Sequence, residues 1–67
     1  MLNNIEIGDL VHIPMESKVI QEDGGGLRSL SLKKSMIGLV LGINGWEYKI
    51  LCEENIFYVQ ADKLYPI

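Results

Sequence analysis

From Met36 to Ile43 no polar side chain interrupts the chain, and the stretch Gly38 to Leu51, GLVLGINGWEYKIL, becomes polar at alternate positions only after Asn44-Gly45. Strict alternation marks a strand with one wet face. A run apolar at every position asks what covers the second face. Asn-Gly between two such segments is the strongest short-range hairpin signal, a type I′ turn. A two-residue loop at Asn44-Gly45 sets Ile43 opposite Trp46, Leu41 opposite Tyr48, Leu39 opposite Ile50 and Ile37 opposite Cys52. All these pairs are apolar, so this face is read as the core. The outer face then pairs Gly42 with Glu47, Val40 with Lys49, Gly38 with Leu51 and Met36 with Glu53.

CEENIFYV predicts a second hairpin, turning at Glu54-Asn55. It sets Cys52 opposite Phe57, Ile50 opposite Val59 and Tyr48 opposite Ala61 on the core face, with Leu51 opposite Tyr58 and Lys49 opposite Gln60 outside. The outer face so derived carries Met36, Val40, Leu51 and Tyr58 as a candidate protein-binding patch, with Gly38 and Gly42 beside them for close approach of another backbone. Two fates are open to it: the preceding arm folds over it, or another chain docks there.

Upstream, IGDLVHIP holds a Gly8-Asp9 turn signal and a short strand Leu10 to Ile13 ended by Pro14. Val11 and Ile13 share one side, Leu10 and His12 the other. Residues 15–35 are too long for a structureless loop in a compact domain. They are read as a hairpin arm with a glycine tip at Asp23-Gly24-Gly25-Gly26. Its register is open between Ile20 opposite Leu30, which sets Glu22 against Arg28, and Val19 opposite Leu30. The tip lacks the Lys-Ser or Lys-Thr of a phosphate loop. QADKLYPI predicts a 3-10 turn from Ala61 to Leu64, Leu64 inward, and a last edge segment Tyr65-Pro66-Ile67.

The predicted fold is therefore all-β, one domain over 1–67: five short strands closed as a small SH3-like barrel, with the 15–35 arm after the first strand. Composition narrows the chemistry. Cys52 and His12 are the only Cys and His among 67 residues, so no internal disulfide and no four-ligand zinc site is expected. Cys52 reads as a small core hydrophobe and His12 as a partly exposed strand residue. The net charge of −3 and pI near 4.9 speak against generic phosphate-backbone binding. Met1 to Asp9 has neither the basic start nor the apolar run of a signal peptide, and no run approaches a membrane span. No cofactor is expected, and a location inside a cell, neither secreted nor in a membrane, is expected.

The segments IGDLVHIP, GLVLGI, WEYKIL and ADKLYPI resemble small SH3-like barrel proteins of tailed bacteriophages, including those of cyanobacteria. The matching positions are Gly8 to Val11, Gly38 to Ile43, Lys49 to Leu51 and Asp62 to Leu64. The resemblance implies a phage origin, a place in host cytoplasm or virion, and a non-enzymatic structural or protein-interaction role. The Gly-x-Val strand is also similar to KOW modules, which implies the alternative of a nucleic-acid or transcription-machinery binder. This chain lacks the basic loop cluster of that class. Catalysis is not expected, since none of its nine acidic residues has an evident base partner or metal-ligand spacing.

Overall fold

The computed structural model describes residues 4–67, so the reading of Met1 to Asp9 as free of a leader falls partly outside the described residues. Along the chain run β1 (Leu10–Ile13), β2 (Lys18–Asp23), β3 (Gly26–Ser31), β4 (Met36–Asn44), β5 (Glu47–Cys52), β6 (Asn55–Gln60), a 3-10 turn (Ala61–Lys63) and β7 (Tyr65–Pro66). The strands form one sheet in the order β3-β2-β6-β5-β4-β1-β7, and every ladder is antiparallel.

The architecture is an open seven-stranded sheet, which corrects the expected closed five-stranded SH3-like barrel. The difference lies in the arm. Its strands are sheet strands: β2 pairs with β6 through Ile20↔Tyr58, Gln21↔Phe57 and Glu22↔Ile56. Among the described residues no ladder joins this end of the sheet to β1 or β7, so two edges remain, β3 and β7.

The sheet is nevertheless strongly bent. β1 and β2 lie four positions apart in the sheet, about 19 Å if it were flat. Only Pro14 to Ser17 connects them, a link reaching about 17 Å at full stretch. It is not fully stretched, because Glu16 turns back with φ 72° and its N–H bonds the Leu32 carbonyl at 2.9 Å. The sheet must curl, and with no α-helix among the described residues to cover it, curling is what buries its inner face.

That face forms one core of Val11, Ile13, Val19, Val40, Tyr48, Ile50, Cys52, Phe57 and Val59, closed by Ile5, Leu32 and Leu64 from outside the strands. Ile50 is fully buried at its centre. The expected inward residues Tyr48, Ile50 and Cys52 of β5, Phe57 and Val59 of β6, and Leu64 are all buried, whereas Trp46, expected on the same core face, lies exposed in the turn. In β1 it is Val11 and Ile13 that turn inward.

β4 departs from its expected register. Asn44 pairs with Glu47 and Ile43 with Tyr48, then Gly42 with Lys49, and one step later Val40 with Ile50. Leu41 is the extra residue of a β-bulge, and it opposes nothing. The bulge exchanges the two faces of the strand. Below it Val40, Gly38 and Met36 turn inward, while Leu39 and Ile37 turn outward. Val40 is 1% exposed and Ile37 58%. The bulge sits where β1 begins: Val40 donates to the Asp9 carbonyl at 2.9 Å and accepts from the Gly8 N–H at 2.8 Å. Beyond it β4 has only β5 as a neighbour, which leaves Leu41 and Ile43 part-exposed.

The turns shift with the registers. The loop after β4 is Gly45-Trp46, not Asn44-Gly45. Gly45 has φ +63° and Trp46 does not enter the left-handed region, the dihedral pattern of a type II′ turn. The type I′ pattern occurs at Gly24-Gly25, with φ +51° and +110°, closing β2–β3 with Val19 opposite Leu30 and Gln21 opposite Arg28. It recurs at Glu53-Glu54, with φ 53° and 70°, so the second central turn lies one residue before the expected Glu54-Asn55.

Gly38 and Gly42 separate the observed register from the expected one. A Cβ on Gly38 would collide with Ile50 Cγ2 and lie 3.1 Å from the Leu51 carbonyl oxygen. A Cβ on Gly42 would meet only Lys49 Cβ, at an ordinary 3.8 Å. Gly38→Ala is expected to lower stability by about 1–3 kcal/mol through overpacking, and Gly42→Ala to change it by less than about 0.5 kcal/mol. Urea melts of the two variants check this, and equal losses would refute the bulged register. Ile50→Ala is expected to lose about 2–5 kcal/mol in the same assay.

Candidate functional site

The bulge divides the four candidate patch residues. Val40 is in the core, and half-buried Met36 packs against it. Leu51 and Tyr58 stay on the outer face, both half-buried, but they do not oppose each other. Leu51 lies between Leu39 and Ile56, and Tyr58 between Lys49 and Ile20. The expected contiguous patch is not assembled.

A different apolar row replaces it. Cross-strand partners share a face, and successive pairs trace Leu10↔Leu39, Leu39↔Leu51 and Leu51↔Ile56 across β1, β4, β5 and β6. Beside it a second outer row pairs Ile37 with His12 and His12 with Tyr65. Leu10, Ile37 and Tyr65 are each more than half exposed. The His12 and Tyr65 rings lie 6.4 Å apart, tilted by 48°. Sequence reasoning placed Leu39 and Ile37 inward, so it missed this row. The available signal was the length of the unbroken apolar run around a strand glycine, a known context for bulges.

Tyr58 belongs to a polar neighbourhood. Its hydroxyl donates to Glu22 Oε1 at 2.7 Å. A shallow hollow of ≈ 230 Å³ lies beside it, lined by Gly42, Ile43, Asn44, Glu47 and Lys49. Trp46 is 71% exposed and, with Gln60, Ala61 and Asp62, lines a separate open hollow. Neither is enclosed as small-molecule sites usually are.

No family model, curated protein or solved structure matches this chain. The likeness to phage barrel proteins therefore rests on the four short segments that suggested it and the likeness to KOW modules on the Gly-x-Val strand alone, and the expected closed barrel is overturned by the open sheet. Phage and viral descriptors have no match behind them.

The remaining chemistry is sparse. Cys52 is buried and unbridged, and its thiol donates to the Ile37 carbonyl at 3.2 Å. Burial foremost, then the Glu53 carboxylate, pushes that thiol above its ordinary value, with Lys34 acting against them. Such a thiol is a poor nucleophile at neutral pH. Among the described residues no group of three or more His, Cys, Asp or Glu is arranged to hold a metal ion. Among them, too, no helix is long and apolar enough to cross a membrane.

The Tyr58 phenol is pushed above its ordinary 10.0, first by its hydrogen bond to Glu22, then by burial and by the Glu22 and Glu47 carboxylates. The folded state thus holds the phenolic proton more tightly than the unfolded chain does. Its contribution to stability is complete below pH 10.0 and is lost as pH rises through the folded value. Glu22→Ala is expected to return the Tyr58 titration towards its ordinary range, read by ultraviolet difference absorption or tyrosine ring NMR. An unchanged titration would show that this bond does not hold in solution.

Proposed function

We propose that this chain is a non-catalytic protein-interaction module that docks a partner protein through the outer face of β1, β4, β5 and β6. The observation that carries the reading is the unbroken row Leu10–Leu39–Leu51–Ile56 with Ile37 and Tyr65 beside it. Contiguous apolar surface of this kind has the composition of an interface core, whereas scattered exposed apolar residues need no explanation. Tyr65 is its aromatic anchor, since tyrosine buries much area at low entropic cost. Half-buried Leu39, Leu51 and Ile56 supply a preformed floor that pays little ordering entropy on docking.

The test is a Leu10→Asp, Ile37→Asp double variant. Both side chains point to solvent, so the variant is expected to fold and to melt within about 1 kcal/mol of the wild type. Sedimentation and a comparative pull-down with both proteins are then read together. A partner retained by the wild type and lost by the variant supports the reading. Loss of a wild-type dimer in the variant would assign the face to a second copy instead. Unchanged behaviour of a folded variant removes the reading. The KOW-like alternative is tested by fluorescence anisotropy with random oligonucleotides at low salt, where salt-sensitive micromolar binding would replace the protein-docking reading.

A further inference from the structure

The two edges of the sheet are unequal. β7 is two residues long and contains Pro66, which has no N–H to donate. Short edges and proline are the ordinary protections against strand addition. β3 is six residues long, contains no proline and is almost wholly exposed. Among the described residues no strand lies beyond it.

The ladder fixes which backbone groups face outward. Asp23 and Gly26 flank a two-residue turn, and the residues flanking such a turn exchange hydrogen bonds. Alternation then directs the bonds of Gly26, Arg28 and Leu30 to β2. Leu32 continues the series, since its N–H bonds the Ser17 carbonyl at 3.0 Å and its carbonyl accepts from Glu16. The N–H and C=O groups of Leu27, Ser29 and Ser31 therefore face away from the sheet. Side chains there are small or apolar: two serines and a Leu27 that is 68% exposed.

Charge selects the occupant. The chain is acidic overall, yet Lys18, Arg28, Lys33 and Lys34, four of its six basic residues, lie within 18–34. Residues 26–35 contain no acid. Asp23 meets Arg28 at 3.7 Å and Glu53 meets Lys34 at 3.9 Å, both at exposed positions, where screening leaves such pairs weak. A second copy fits poorly. Two β3 edges paired antiparallel about a two-fold at Ser29 would set Arg28 near its own duplicate and bring no acidic residue of 26–35 opposite the basic ones, and the β7 edge is too short and carries Pro66.

We propose that the outer edge of β3 accepts an extended acidic segment of another protein by strand addition, its backbone bonding Leu27, Ser29 and Ser31 and its carboxylates meeting Arg28, Lys33 and Lys34. Main-chain bonds supply affinity in this mode of recognition, and side-chain chemistry supplies selectivity. This surface is distinct from the apolar outer row, and neither proposal requires the other.

The probe is a labelled nine-residue peptide alternating glutamate with valine. Its control has the same charge but proline in place of valine, so it cannot form a ladder. Anisotropy is measured on the whole chain at low and moderate salt. The wild type is expected to bind the valine peptide at least tenfold more tightly than the proline peptide, with affinity falling as salt rises. Ser29→Pro removes one outward N–H without breaking the β2 ladder and is expected to weaken binding at least tenfold. Lys33→Glu, Lys34→Glu is expected to weaken it and flatten the salt dependence. Leu10→Asp, Ile37→Asp is expected to bind as the wild type does. Hydrogen exchange followed by NMR gives a readout that needs no variant: the amides of Leu27, Ser29 and Ser31 should exchange fast in the free chain and slow with the valine peptide. Equal binding of the two peptides, no binding, absent protection at those three amides, or tighter binding of an oligonucleotide of equal charge would each overturn the proposal.

Discussion

At Gly38 the central strands approach so closely that a methyl group of Ile50 occupies the space a side chain would need. Any residue with a Cβ there must push β4 from β5 or displace Ile50, which is wholly buried in the core. Gly38 therefore faces inward, and Met36 and Val40 must face inward with it, since positions two apart share a side. The other end of β4 has a different demand, because Ile43 lies opposite Tyr48, on the face that Tyr48 buries. Both demands are met only if one residue between them is passed over, and Leu41 is that residue. Backbone bonds from Gly8 and Asp9 to Val40 hold the irregularity in place.

The outer surface follows from the same event. With Val40 inside, Leu39 and Ile37 are delivered to the solvent side, where they align with Leu10 on β1 and Leu51 on β5. The apolar row is thus the complement of a core decision, spread over four strands rather than confined to one hairpin. The basic β3 edge has a separate origin. It arises because the arm joins the sheet through β6 and becomes its terminal strand.

Much of the local structure could be read from residues alone. The bounds of β1, the 3-10 turn, inward Leu64 and the core faces of β5 and β6 follow from alternation, turn residues and proline. Three features did not follow. The β4 face was ambiguous because Met36 to Ile43 is apolar at every position, so either face satisfied the pattern, and the deciding clash belongs to a glycine that carries no hydropathy. The central turns moved by one residue because Gly45 serves a type II′ turn as well as a type I′, and because Glu53-Glu54 adopts left-handed geometry that L-residues rarely choose. The open sheet was missed because the β2–β6 pairing joins residues far apart in sequence. Of the candidate site, Leu51 and Tyr58 were placed on the correct side and Met36 and Val40 were not, all through the single slip at Leu41.

The short Pro14–Ser17 link also bears on the order in which the sheet can assemble. The β4–β5–β6 meander is joined by two-residue turns, and the β2–β3 hairpin by another, so each unit closes small loops with little loss of chain entropy. Pairing β2 with β6 brings together residues such as Ile20 and Tyr58, and β1 with β7 brings together Val11 and Pro66. These closures span most of the chain. Once β1 has docked on β4, the four-residue link holds β2 within reach of β6, so the second long closure starts from a nearly closed loop. The strand that opens the sheet thus acts as a tether for the hairpin that completes it, and a longer link would slow that last step even where it left the finished structure unchanged.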